Sequence, residues 1–188
     1  MKKILVINGS GRKAGNAAGL AATAVEAAQK AGGEAKVYNL VEMNIRPCAA
    51  CNGCKTGNVG CVQKDDISPL IEEILDSDGI LVSSPIYFGR ATAQIYTWIG
   101  RLFSLLGPGG SRAAKKDRKL GVILSFNSGP AEVYAKEGEY LTTGGPNMAL
   151  GATAHQVLLA GGLGDKEAYK TRGDYLDQAR ALGEWLIA

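Results

Sequence analysis

No apolar run in this sequence is long enough to span a bilayer, and residues 1–7 lead into a strand-like stretch without a signal-peptide cleavage pattern. We therefore expect a cytoplasmic protein with no membrane partner. A large excess of one charge is also missing. The 21 Lys and Arg against 18 Asp and Glu leave a net charge of +3, too mild to point to nucleic acid. Histidine is reduced to His155, with no acid-rich motif beside it, which reads as a core or end-of-strand position and not as a catalyst. No Gly-Lys-Ser/Thr triplet follows the first glycine-bearing turn, so that turn is not a P-loop. Cysteine is absent from all but one stretch. The four lie between Cys48 and Cys61, a local site and not a disulfide framework spread through a fold.

What is present is an alternation of strands and helices within 188 residues, enough for one domain spanning 1–188. Lys3–Ile7 is a short apolar run suited to a buried strand. The turn Asn8–Asn16 leads to an alanine-rich helix ending near Ala31, with Asn16 as its cap. Glu34–Leu40 reads as the second strand, and residues 41–65 form a cysteine-rich insertion. Ser68-Pro69 predicts the next helix start, with Asp65-Asp66 favouring its N-terminus. Gly79–Ser84, Leu120–Asn127 and Ala154–Ala160 are the remaining strands, and a last helix runs from about Lys166 to Ile187. Residues 128–147 resist assignment, with Gly144-Gly145-Pro146 interrupting any helix. This pattern predicts an α/β three-layer sandwich around a five-stranded parallel sheet of order 2-1-3-4-5. Its ligand crevice lies at the switch between strands 1 and 3.

Two further segments bear on partners. The helix at about 91–106 has an apolar stripe of Ile95, Ile99, Leu102 and Leu106, and Tyr96, Trp98, Phe103 and Leu105 cover much of its remaining circumference. Such a helix needs burial on two sides, which predicts a homodimer or homotetramer unless the neighbouring loops cover it. The basic stretch Arg112, Lys115, Lys116, Arg118 and Lys119 reads as a solvated turn. Its functional alternative is a dock for an acidic electron-transfer protein or for the 2′-phosphate of NADPH.

Two readings of the first turn remain. Gly9, Gly11 and Ala14 formally match a dinucleotide fingerprint, but strand 2 ends Tyr38-Asn39-Leu40 without the acid that would grip a ribose. The preferred reading is a single phosphate monoester held by backbone N–H groups with Ser10, Arg12 and Asn16, in a turn that also contains Lys13 and Gly15. After strand 3, Ser84-Pro85-Ile86-Tyr87-Phe88-Gly89 falls beside that turn in a 2-1-3 sheet. Tyr87 and Phe88 offer flat apolar surface to a planar ring, or simply pack beneath the next helix. Asn127-Ser128-Gly129 closes strand 4 at the same edge and adds polar contacts.

Gly9-Ser10-x-Arg12-x-x-Gly15-Asn16 together with Ser84–Gly89 resembles the NADPH-dependent FMN reductase family, of flavodoxin-like fold, over nearly the whole chain. The resemblance implies FMN, its phosphate on Ser10, Arg12 and Asn16 and its ring system against Pro85–Gly89, with NAD(P)H as electron donor. The spacing Cys48-x2-Cys51-x2-Cys54-x6-Cys61 lets three thiols converge on one cluster face and an arm bring the fourth. It is similar to the iron–sulfur flavoprotein branch, which implies a [4Fe–4S] cluster, with Gly53, Gly57 and Gly60 letting the backbone wrap round it. Zinc, a Cys-x-x-Cys redox pair and a metal-free loop stay open, since family members with similar loops ending in Asp-Asp are not known to hold a metal.

The resulting expectation is an FMN-dependent oxidoreductase in which the flavin carries the chemistry and no catalytic side chain is required. With a cluster, the resemblance implies ferredoxin-linked electron transfer. Without one, it implies reduction of quinones, azo compounds or free flavin by NAD(P)H. The rivals are a non-enzymatic flavodoxin-like carrier and a metal-binding or redox-sensing module.

Overall fold

The structure is a computed structural model and describes residues 1–56, 60–107, 109–114 and 117–188; Gly57, Lys115 and Lys116 lie outside them. Five parallel strands, β1 (Lys3–Asn8), β2 (Glu34–Asn39), β3 (Gly79–Pro85), β4 (Lys119–Ser125) and β5 (Ala154–Ala160), form one sheet in the order β2-β1-β3-β4-β5. This is the expected 2-1-3-4-5 arrangement. The central strands bury both faces, so their residues are apolar in succession. Leu5 and Ile7 of β1 belong to the core beneath α2 (Ile67–Asp76), α3 (Ala93–Arg101), α4 (Ala131–Thr143) and α5 (Gly145–Leu150). Ile4 and Val6 point the other way, to α1 (Asn16–Lys30) and α6 (Gly173–Ile187). The last pair pack backbone to backbone: a Cβ on Gly183 would stand 2.0 Å from the Ala24 carbonyl oxygen.

Several boundaries differ from the sequence expectations for identifiable reasons. Gly15, not Asn16, precedes α1, because Asn16 already lies in the helix and its side chain is used elsewhere. Helix α2 starts at Ile67 after Asp66, and Ser68 instead donates its hydroxyl to the Gln63 carbonyl. The helix expected over 91–106 is α-helical only to Arg101, then tightens to a 3₁₀ turn at Leu102–Leu105 and enters a two-stranded hairpin, Leu106–Gly107 with Gly110–Ser111. Its Ile95, Trp98, Leu102 and Leu105 are buried within this chain. The unassigned stretch folds as α4 and α5, divided at Gly144. The last helix begins at Gly173, after a 3₁₀ turn at Ala168–Thr171.

One expectation is narrowed and one is corrected. His155 is the exposed second residue of edge strand β5, an end-of-strand position and not a core one. Arg118 is fully buried where a solvated turn was expected. Its guanidinium donates to the carbonyls of Ile74 and Ser77 at the end of α2, at 2.5 and 3.1 Å, and to Leu150 at the end of α5, at 2.7 Å. It thereby satisfies carbonyls that helix C-termini leave open.

Candidate functional site

The carboxyl ends of β1, β3 and β4 open into a cleft of about 270 Å³ lined by Ser10, Arg12, Gly15, Asn16, Pro85, Ile86, Tyr87 and Asn127 among others. This is the switch point at which the sequence places a ligand crevice. Its floor is a polar network. Asn8 is buried, and its Oδ1 accepts from the Ser10 N–H at 3.1 Å and the Ser83 hydroxyl at 3.0 Å, which turns the chain sharply out of β1. Ser10 is buried, and its hydroxyl closes the turn by accepting from the Arg12 N–H at 3.2 Å and donating to the Arg12 carbonyl at 2.9 Å. Gly15 then caps α1 with no side-chain hydrogen bond, so the first N–H groups of the helix face the cleft uncapped. Arg12 lines the same cleft and is exposed.

The second wall follows β3. Ile86 N–H donates to the Ser125 carbonyl at 2.8 Å, carrying the ladder one step past the strand. Tyr87 and Arg90 exchange N–H···O bonds of 2.9 and 3.1 Å around Phe88 (φ 51°) and Gly89 (φ 79°). Positive φ at both central positions is the type I′ requirement, which Gly meets freely and Phe meets under strain. Thr92 ties the walls together: its hydroxyl donates to the Gly9 carbonyl at 2.9 Å, and its N–H donates to the Ser84 hydroxyl at 3.0 Å.

Not every expected residue reaches the cleft. Lys13 pairs with Glu42 away from it. Ser84 is buried beneath the loop, its hydroxyl donating to the Pro85 carbonyl at 2.8 Å. Phe88 projects wholly into solvent. Ser128 and Gly129 turn outward, with the Ser128 carbonyl accepting from the Tyr134 hydroxyl at 2.9 Å. Asn16 lines the cleft, but its amide donates to the carbonyls of Leu163 and Asp165 at 3.0 and 2.9 Å and its oxygen accepts from Tyr169 N–H at 3.1 Å. Both amide hydrogens are thus used, and the side chain braces the wall while its backbone faces the cleft. Sequence reasoning missed Leu163 and Gly164, which follow the last strand with no polar signal of their own. A Cβ on Gly164 would stand 2.5 Å from Asn127 Oδ1, so the two loops close only around glycine.

The cysteine segment forms a second feature. Cys48, Cys51, Cys54 and Cys61 line one small concavity of about 20 Å³, room for about one water molecule. Among the described residues no group of three His, Cys, Asp or Glu side chains is arranged to hold a metal. Arg101, fully buried, is the anchor of this segment. It pairs bidentately with the equally buried Asp65 at 2.6 and 3.0 Å, donates to the Arg46 carbonyl at 3.0 Å, and points Nε at Cys61 Sγ at 3.2 Å. Burial alone would raise the Asp65 pKa, but the Arg101 guanidinium and the Arg46 N–H hold it below the ordinary carboxylate range. Asp65 also accepts from the N–H of Ile67, the first residue of α2, so it serves the helix N-terminus as expected while holding Arg101, whereas the Asp66 carboxylate accepts from the Asn44 N–H at 2.7 Å. The docking reading of the basic stretch also weakens, since Arg112 faces Glu72, Arg118 is buried and Lys119 donates to the Trp185 carbonyl at 2.8 Å.

Among the described residues no helix is long and apolar enough to cross a membrane. The chain is 36% identical over 99 residues to an iron–sulfur flavoprotein of Archaeoglobus fulgidus, covering 53% of this chain and 48% of that one. It is 34% identical over 93 residues to an iron–sulfur flavoprotein of Methanocaldococcus jannaschii, covering 50% and 48%. The chain spans about half the length of the curated relatives it matches. Among solved structures, an NAD(P)H:quinone oxidoreductase from Methanothermobacter marburgensis superposes with a TM-score of 0.78 at 16% identity, over 100% of this chain and 98% of that one. An FMN-dependent NADH-azoreductase from Bacillus anthracis, solved with FMN, gives 0.74 at 11% identity over 100% of both chains. At such identities the likeness concerns the fold. Residues 2–137, which contain both the Asn8–Asn16 turn and the Tyr87–Arg90 loop, match the NADPH-dependent FMN reductase family, and the chain belongs to that family.

Proposed function

We propose that the protein is an FMN-dependent oxidoreductase that takes electrons from NAD(P)H and passes them to a small acceptor such as a quinone or azo compound. The observation that carries this reading is the cleft at the β1–β3 switch, where Ser10, the exposed Arg12 and the uncapped start of α1 converge beside Pro85–Tyr87. A phosphate monoester is nearly a dianion, and a guanidinium with convergent N–H groups suits it. The residues therefore fit FMN: Ser10, Arg12 and the backbone of 15–17 would hold the phosphate, and the Pro85–Tyr87 wall would face the ring system. When bound, FMN supplies hydride acceptance and electron release. The protein's own contribution is to hold the anion, shape one wall with the Tyr87–Arg90 turn and shelter the site behind Asn127 and Leu163–Gly164. With a quinone acceptor the balance is NAD(P)H plus a proton plus quinone giving NAD(P)⁺ and quinol.

The test is reconstitution with FMN, followed by a visible spectrum and NAD(P)H oxidation with a quinone. A flavin spectrum and turnover are expected. Absence of bound flavin overturns the reading, and flavin without turnover on either nucleotide favours a non-enzymatic carrier.

A second reading rests on the cysteine segment: four thiols around one concavity, a buried cation beside Cys61 and two relatives named iron–sulfur flavoproteins support a [4Fe–4S] cluster on Cys48, Cys51, Cys54 and Cys61, with ferredoxin as an electron partner. The donor set suits a cluster chemically, and the concavity must widen to admit one. Iron and sulfide analysis of anaerobically purified protein decides it; flavin without iron returns the segment to a metal-free or redox-pair role. A cytoplasmic location and a homodimer or homotetramer complete the proposal, the latter checked by light scattering.

A further inference from the structure

The turn beside the cleft contains a cation that the reading above does not use. Glu137 of α4 is buried, and three groups converge on its carboxylate. The Arg90 Nη1–H donates to it at 2.9 Å, the Ala91 N–H at 2.9 Å and the Tyr96 hydroxyl at 2.9 Å. Glu137 thus fixes both the backbone leaving the Tyr87–Arg90 turn and one edge of the guanidinium. Yet the Arg90 side chain remains 64% exposed. The Arg101–Asp65 pair provides the contrast: both side chains are fully buried, as a purely internal counter-ion arrangement would be. At Arg90 the carboxylate is inside and the cation looks out.

An arginine on a surface ordinarily loses considerable side-chain entropy when it grips a ligand. Here one nitrogen is already anchored, so the guanidinium is held in place while its outer edge keeps N–H donors in a planar fork. That fork matches paired oxygens of a sulfonate, carboxylate or phosphate. Within the same turn Tyr87 is half-exposed and lines the cleft, and Phe88 stands wholly in solvent on a strained backbone. Strain of this kind persists where the surroundings over-determine it, and it gathers at ligand-contacting segments. A cation anchored by Glu137 and two exposed aromatic faces on one short turn have the chemistry to bind a flat ring that bears an anion.

We propose that Arg90 is a specificity-determining residue, selecting flat anionic redox partners at the mouth of the cleft; the inference rests on the flavin reading above. The anion has two sources with the same chemistry: an aryl sulfonate or carboxylate on the acceptor, or a phosphate of the nicotinamide donor. Glu137 is a positioning residue that acts through Arg90.

The test uses the FMN-loaded full chain, wild type against Arg90→Ala and Arg90→Lys. KM is measured for 1,4-naphthoquinone-2-sulfonate and for neutral menadione, and for NADPH and NADH, at low and high NaCl. In the wild type the preference for the sulfonated over the neutral quinone, or for NADPH over NADH, should shrink as salt rises. In Arg90→Ala at least one of those two preferences should fall by roughly tenfold or more, as expected for loss of a charge-assisted contact, with Arg90→Lys intermediate. Which preference moves identifies the source of the anion. If neither moves in either variant, or if only the melting temperature falls, Arg90 is a counter-ion for Glu137 and the proposal is overturned. Should a variant fold poorly, a wild-type preference indifferent to salt overturns it equally. FMN titration of the wild type is read separately: failure to bind FMN refutes the flavin reading itself, whereas bound FMN with unmoved preferences refutes only the role of Arg90.

Discussion

Arg12 and Lys13 are adjacent basic residues with different prospects. Arg12 lines the cleft, whereas Lys13 is engaged with Glu42 on the surface. Arg12→Ala should weaken FMN by about 1.5–3 kcal/mol, the usual worth of a charge-assisted hydrogen bond, while Lys13→Ala changes affinity far less. Quenching of FMN fluorescence measures both. Asp65 invites a harsher result. Asp65→Ala leaves the Arg101 guanidinium buried without its carboxylate, and breaking a buried pair from one side costs ~3–5 kcal/mol. Urea unfolding should show this as a lower midpoint, and the cysteine segment should lose its attachment to α3, read as faster alkylation of Cys61.

The Asn8–Asn16 turn depends on its fit against Thr92 and α3 as much as on its own residues. A Cβ on Gly9 would stand 2.4 Å from Ile95 Cγ1 and 2.6 Å from Thr92 Oγ1, whereas one on Gly11 meets nothing within 4 Å. Gly9→Ala should therefore destabilise by ~1–3 kcal/mol through overpacking and weaken FMN as well. Gly11→Ala should leave thermal stability nearly unchanged. The elements themselves were largely legible in the sequence, because buried parallel strands are short apolar runs and Gly32-Gly33 and the Pro85 segment punctuate them. Less was legible where a side chain's role depends on a distant partner. Arg118 sits in a basic run that looks solvated, and only the converging ends of α2 and α5 bury it. Glu137 looks like one acid on an ordinary helix, and only the packing of α4 over the Tyr87–Arg90 turn reveals its use. Asn16, expected to hold a phosphate, lines the cleft, but its side chain serves the wall because Leu163 and Asp165 supply carbonyls that the local sequence does not announce.

At the scale of the molecule, the two cores on either side of the sheet are apolar, and pH acts through a few internal ionisable groups. The Asp65 pKa is lowered in the fold, so its contribution is complete above the unfolded value of about 3.9 and fades as pH falls through its lower folded value. Tyr96 behaves in the opposite sense. Burial, then its hydrogen bond to Glu137, push it up to about 12, so stability is full below its ordinary value and declines as pH rises toward about 12. Chemical denaturation across pH should show losses at both extremes. Absorbance at the phenolate band should reveal a tyrosine that ionises only as pH approaches about 12.

The brace at Asn16 sets an order of events in the cell. The turn that begins the cleft leaves the ribosome early, but the Leu163 carbonyl to which it is fastened lies 147 positions further along the chain. Until β5 has joined the sheet and the segment behind it has docked, the Asn8–Asn16 turn has no opposite wall. If the turn holds the flavin as proposed, flavin uptake is a late step of biosynthesis, and a nascent chain halted before Leu163 should emerge colourless even in abundant FMN.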